Sequence, residues 1–139
     1  MKKTLIKVVL IFSILLLVCI AGIWYFIFYK PTHYQRDVLA ENSVSVTADE
    51  LVNNYETNEH KGDSLFLNKA VTVTGKVTDV RKNQEGKTII FLESKDPMSN
   101  VSCTLQSPAN ITPGNNVTVK GVCAGYLSDV ILIDGVHVK

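Results

Sequence analysis

Hydrophobic and polar positions divide this chain into three regimes. From Val8 to Tyr29 the sequence is apolar without a break, its only weakly polar members being Ser13, Cys19 and Gly22. As a helix rising 1.5 Å per residue, that run is about 33 Å long, enough to cross a hydrocarbon core of roughly 30 Å. Residues 1–30 are therefore predicted to be a transmembrane helix, ended by Lys30-Pro31. Residues 31–45 are polar and lack a clear period, as in a juxtamembrane linker, although Val38 and Leu39 offer apolar side chains for docking. In the third regime, Thr47 stands three residues before Glu50, a capping box that opens a helix. Leu51, Val52, Tyr55, Gly62 and Phe66 follow at spacings of three and four, so one amphipathic helix of about 12 to 20 residues, kinked at His60 to Gly62, is expected.

After Lys69 the period changes to two. Val71-Thr72-Val73-Thr74-Gly75 and Val117-Thr118-Val119-Lys120-Gly121 repeat one figure, valine alternating with polar residues up to a glycine that lets a strand bend. Five strands are predicted: Val71 to Val80, Thr88 to Glu93, Val101 to Leu105, Val117 to Cys123, and Val130 to Ile133 with a tail reaching Val138. Val71, Val73, Gly75 and Val77 should face the core, and Thr72, Thr74, Lys76 and Thr78 the outside. The fold expected for residues 46–139 is mainly β: a five-stranded Greek-key barrel of the oligonucleotide/oligosaccharide-binding (OB) type, preceded by its helix.

Charge changes the picture in two ways. Lys2, Lys3 and Lys7 precede the apolar run, which by the positive-inside rule puts the N-terminus in the cytoplasm and the C-terminal domain outside it. They also take three of the fourteen basic residues, leaving eleven against all thirteen acids in the rest of the chain. No basic stripe is present, which disfavours nucleic acid as a partner. A cleaved secretory signal is a competing reading of the apolar run. Cleavage at Ala21-Gly22, however, would leave Ile23-Trp24-Tyr25-Phe26 at the new terminus, and Trp24, Tyr25, Phe26, Phe28 and Tyr29 suit a membrane interface. Lipid attachment at Cys19 is a third reading, for which Val18 is a poor preceding residue. The retained inner-membrane anchor is adopted.

Between Val46 and Val136 the chain resembles the tRNA-anti-like family of OB-fold proteins, short secreted or membrane-anchored bacterial proteins. The resemblance is carried by Thr47-Ala48-Asp49-Glu50-Leu51, Tyr55, Asn58-Glu59, Lys69-Ala70-Val71, Val73-Thr74-Gly75, Cys103, Val119-Lys120-Gly121-Val122-Cys123-Ala124-Gly125-Tyr126 and Asp129-Val130-Ile131-Leu132. The family often has a cysteine near the end of the last strand, where this chain has Gly135. The family name marks a likeness to anticodon-binding barrels and by itself implies no tRNA ligand.

Candidate chemistry is sparse. Cys103 and Cys123 share the inward parity of their strands. They are read either as a disulfide, worth roughly 3 kcal/mol for a loop of about 20 residues, or as two buried thiols. Against the first, the third and fourth strands of an OB barrel are not neighbours. Tyr126, Leu127 and Asp129 lie in the connection between the last two strands, a loop OB folds use for ligands. Tyr126 either offers a stacking platform or plugs the barrel end against the helix, while Tyr55, Phe66 and Phe91 read as core. His33, His60 and His137 are too scattered for a metal site or a triad. No catalytic residue, metal or cofactor is expected. The anticipated role is a binding module for an envelope protein or glycan, with an oligonucleotide- or oligosaccharide-binding protein as the alternative.

Overall fold

The computed structural model describes residues 2–29 and 36–138. Two units emerge, Met1–Arg36 and Asp37–Lys139. In the first, helix α1 (Lys2–Trp24) runs into a π-helical turn, Tyr25–Tyr29, in which Tyr25 stacks on Tyr29 at 5.0 Å. Residues Lys3–Tyr29 are long and apolar enough to cross a membrane. The expected stop at Lys30-Pro31, most of the linker, and His33 lie outside the described residues.

The second unit is a closed barrel. Its elements are β1 (Val44–Thr47), α2 (Ala48–Thr57), α3 (Glu59–Phe66), β2 (Ala70–Lys82), β3 (Thr88–Leu92), β4 (Val101–Leu105), β5 (Asn116–Tyr126) and β6 (Val130–Val138). The sheet order β1-β2-β3-β4-β6-β5, with β2 also bonded to β5, closes five strands and leaves β1 as an addition. Alternation in β2 falls as the valine spacing predicts, with Val71, Val73 and Val77 buried and Thr74, Lys76 and Thr78 exposed. These valines, with Leu51, Tyr55, Ile90, Leu92, Val119 and Leu132, form the core.

Two expectations are corrected. A sixth strand exists, because β1 pairs in parallel with Val71 to Thr74 of β2. The same residues pair with β5 on the opposite edge, so β1 fills the length of β2 that β3 leaves open. The single helix is two helices that meet at Asn58, not at His60 to Gly62. Asn58 is extended (φ −162°), which ends α2, and its side-chain oxygen accepts from Lys61 N at 3.0 Å, which starts α3. The chain before β1 packs on the barrel. Val38 is buried with Ala70 and Val122, and the Lys120 ammonium, itself buried, donates to the carbonyls of Leu39 and Glu41.

Candidate functional site: the outer face of the barrel and the loop around Tyr126

The capping box forms as the sequence predicts: Thr47 N donates to Glu50 Oε2 at 3.0 Å, and Glu50 N to Thr47 Oγ1 at 3.2 Å. It sets α2 so that Tyr55 points inward, where its ring stacks on Tyr126 at 5.6 Å and lies 6.1 Å from Phe66. Tyr126 is therefore part of the seal between helix and barrel, the second of its two sequence readings. Its hydroxyl lies 3.2 Å from Ser99 Oγ. The Asp129 carboxylate accepts from Asn100 N at 2.8 Å and its carbonyl from Leu127 N at 3.1 Å, so this side chain ties the β5–β6 loop to the start of β4. Leu127, by contrast, is 80% exposed. Tyr126 and Leu127 share a groove of about 340 Å³ with Glu59, Asp63, Leu67 and Ile131.

Cys103 and Cys123 are free thiols, and the topology supplies the reason. Both pair with Leu132, Cys103 from β4 and Cys123 from β5, so β6 runs between them. Two strand spacings put their Cα atoms about 10 Å apart, beyond the roughly 7 Å that a disulfide spans. Burial pushes the Cys103 thiol up to about 12. Burial also raises Cys123, whose sulfur lies 3.2 Å from the Tyr55 hydroxyl, and the same desolvation raises the Tyr55 phenol. Neither thiol is a nucleophile at neutral pH.

The residue that sequence reasoning misplaced is Phe91. In β3, Thr88, Ile90 and Leu92 take the core side, leaving Ile89 and Phe91 half-buried on the outside. Register places Phe91 opposite Asp79 on one side and Ser102 on the other, and Ser102 opposite Ile131. The Arg81 guanidinium covers the Phe91 ring at 5.1 Å from its centroid and donates to Asp79 at 2.6 Å. That hydrogen bond holds the exposed Asp79 carboxyl below its ordinary range. The parity of Thr88-Ile89-Ile90-Phe91-Leu92 was the available signal, masked because both faces of this strand carry apolar residues. An outer stripe thus runs across β3, β4 and β6 from Arg81 and Phe91 to Ile131, where it meets the Tyr126 groove.

A larger open cavity, about 610 Å³, lies at the start of α2 between Asp49, Lys76, Glu93 and Lys95. Lys76 and Glu93 pair across it at 3.7 Å, and the capping box already satisfies helix donors there. Among the described residues no three His, Cys, Asp or Glu side chains gather as metal ligands. His60 lies on α3 and His137 on β6.

The chain belongs to the tRNA_anti-like family, whose sequence model matches residues 1–135. No curated protein matches it. Among solved structures, a lipoprotein of Klebsiella pneumoniae, described as a candidate nucleic acid-binding protein, superposes with a TM-score of 0.55 at 19% identity. That match covers 76% of this chain and all of the other. A yeast Stn1–Ten1 structure matches at a TM-score of 0.46 and 16% identity, over 70% of this chain and 64% of that one. The first likeness is one of fold, the OB barrel.

Proposed function

We propose that this protein is a non-catalytic binding module, held by α1 in the inner membrane with its barrel outside the cytoplasm, that recognises an envelope protein or glycan. The observation that carries the reading is the stripe Phe91, Ile89, Ser102, Thr104 and Ile131 on the outer face. It joins a ring capped by a guanidinium to hydroxyls and apolar side chains. Such a surface suits sugar rings or protein side chains, which stack and accept hydrogen bonds without needing phosphate neutralisation. Three of the cations around it are already engaged: Arg81 with Asp79, Lys87 with Glu85 and Lys76 with Glu93. A phosphate polymer requires cations free to replace its counterions. Lys2, Lys3 and Lys7, at the start of α1 and ahead of its apolar run, support the outward placement.

The Phe91–Arg81 pair also favours a second reading, a single-stranded oligonucleotide stacking a base on that ring. The description of the Klebsiella protein points the same way. An amide NMR titration of residues 37–139 separates the two. Soluble glycans or an envelope extract should shift Ile89, Phe91, Ser102 and Thr104, and Phe91→Ala should abolish those shifts. Silence at this face across all ligands removes the proposal. A response to dT12 alone, weakening steeply with salt, replaces it with the second reading.

A further inference from the structure

The groove beside Tyr126 has a chemistry that the outer stripe lacks. Its apolar part is Leu67, Ile131 and the 80% exposed Leu127. Its rim is Glu59 and Asp63, four residues apart on α3 and therefore on one face of that helix. Among the described residues the ion pairs formed are Lys76–Glu93, Arg81–Asp79 and Lys87–Glu85, so neither rim carboxylate has a cation of its own. Both line an apolar hollow of about 340 Å³, near the lower bound of roughly 300 Å³ for ligand pockets, and Asp63 also faces the Tyr55 hydroxyl. Room exists for one or two side chains, not for a folded surface. The groove floor is rigid, because Tyr126 is fixed between the Tyr55 ring and Ser99 Oγ. The loop carrying Leu127 is tied down through Asp129 and Asn100. Little ordering entropy remains to oppose binding.

We infer that this groove is the docking site for a cationic segment of a partner protein, in which a Lys or Arg side chain meets Glu59 and Asp63 while an adjacent apolar side chain packs on Leu67, Leu127 and Ile131. The inference rests on the binding-module reading above and names the class of its protein partner. Charge complementarity selects the occupant. An anionic polymer would meet two like charges, and a neutral glycan would leave both carboxylates without a cation. Ile131 joins the groove to Ser102 and Phe91 through the β6–β4–β3 register, so a peptide leaving the groove would run along the outer stripe. From Ile131 to Phe91 is two strand spacings, about 10 Å, or roughly three extended residues.

The full chain in phosphatidylcholine nanodiscs provides the test, with two capped hexapeptide libraries as probes, one mixing Lys and Arg with Leu and Phe, the other mixing Asp and Glu with the same apolar residues. The basic library is expected to bind at least tenfold more tightly, and to shift the methyl groups of Leu67, Leu127 and Ile131. Glu59→Gln with Asp63→Asn should weaken it about five- to tenfold, the range for two partly exposed ion pairs. Leu127→Ser, at a position too exposed to affect folding, should weaken it independently. Equal binding of both libraries, unchanged affinity in the double variant, or binding of dT12 in the groove would each overturn the inference. Failure of the basic library while glycan or extract still shifts Phe91 removes this inference alone. Failure at both places removes the reading beneath it as well.

Discussion

At Gly62 the space for a side chain is already occupied: a Cβ there would lie 2.6 Å from Cδ1 of Tyr55. Helix propensity favours alanine over glycine by about 1 kcal/mol, yet overpacking against a ring wedged between Phe66 and Tyr126 costs more. Gly62→Ala should therefore destabilise the barrel by about 1–3 kcal/mol in urea melts, despite improving the helix. Cys103 sets a second residue-scale effect. Below its ordinary value of 9.0 the thiol is protonated in both folded and unfolded chains. Between there and about 12 only the unfolded chain ionises, so the folded state loses stability as pH rises through this window. The loss from this group is up to about 1.4 kcal/mol per pH unit. Cys103→Ala should flatten the fall between pH 9 and 10.5 without removing it, because Cys123 and Tyr55 are shifted in the same direction. An unchanged slope would mean that Cys103 is not protected in the folded chain.

At the scale of elements, Lys120 decides whether the chain before β1 belongs to the barrel. Its ammonium donates to two backbone carbonyls beside the buried Val38. Lys120→Met keeps the stem but removes the donors, leaving carbonyls in a partly buried setting at a cost of about 1–3 kcal/mol. Hydrogen exchange should then accelerate at residues 37–41 and at β1, with β3 and β4 unaffected; equal loss of protection everywhere would refute a local clamp. The elements legible in the sequence were those whose signal is local. The Val-Thr alternation of β2 and the Thr47–Glu50 box read directly onto the structure. β1 was not legible, since its four residues are ordered by a partner some 27 positions away, Val44 against Val71. The break at Asn58 had a local signature, an Asn followed by an acid at a helix start, that the continuing three-four spacing concealed. The outer stripe was hidden by β3, whose apolar residues on both faces leave inside and outside indistinguishable without register.

For the whole molecule, the unit Asp37–Lys139 has its own core. Residues 37–139 expressed alone should melt within about 2 °C of the full chain, since the main core cluster lies within that unit and a 1 kcal/mol change shifts a domain of this size by roughly 4–8 °C. A reporter fused after Val138 should be active only in the form that works outside the cytoplasm; cytoplasmic activity would reverse the proposed topology. One detail of the barrel gains meaning at this scale. A tug on the polypeptide from its apolar end reaches β1 before α2, and there it meets four consecutive residue pairs in parallel register with β2, together with the ammonium of Lys120 on two carbonyls. Four such pairs in register load together rather than one after another, so strain entering from that end should be borne at the rim of the cylinder before it reaches the proposed recognition surface.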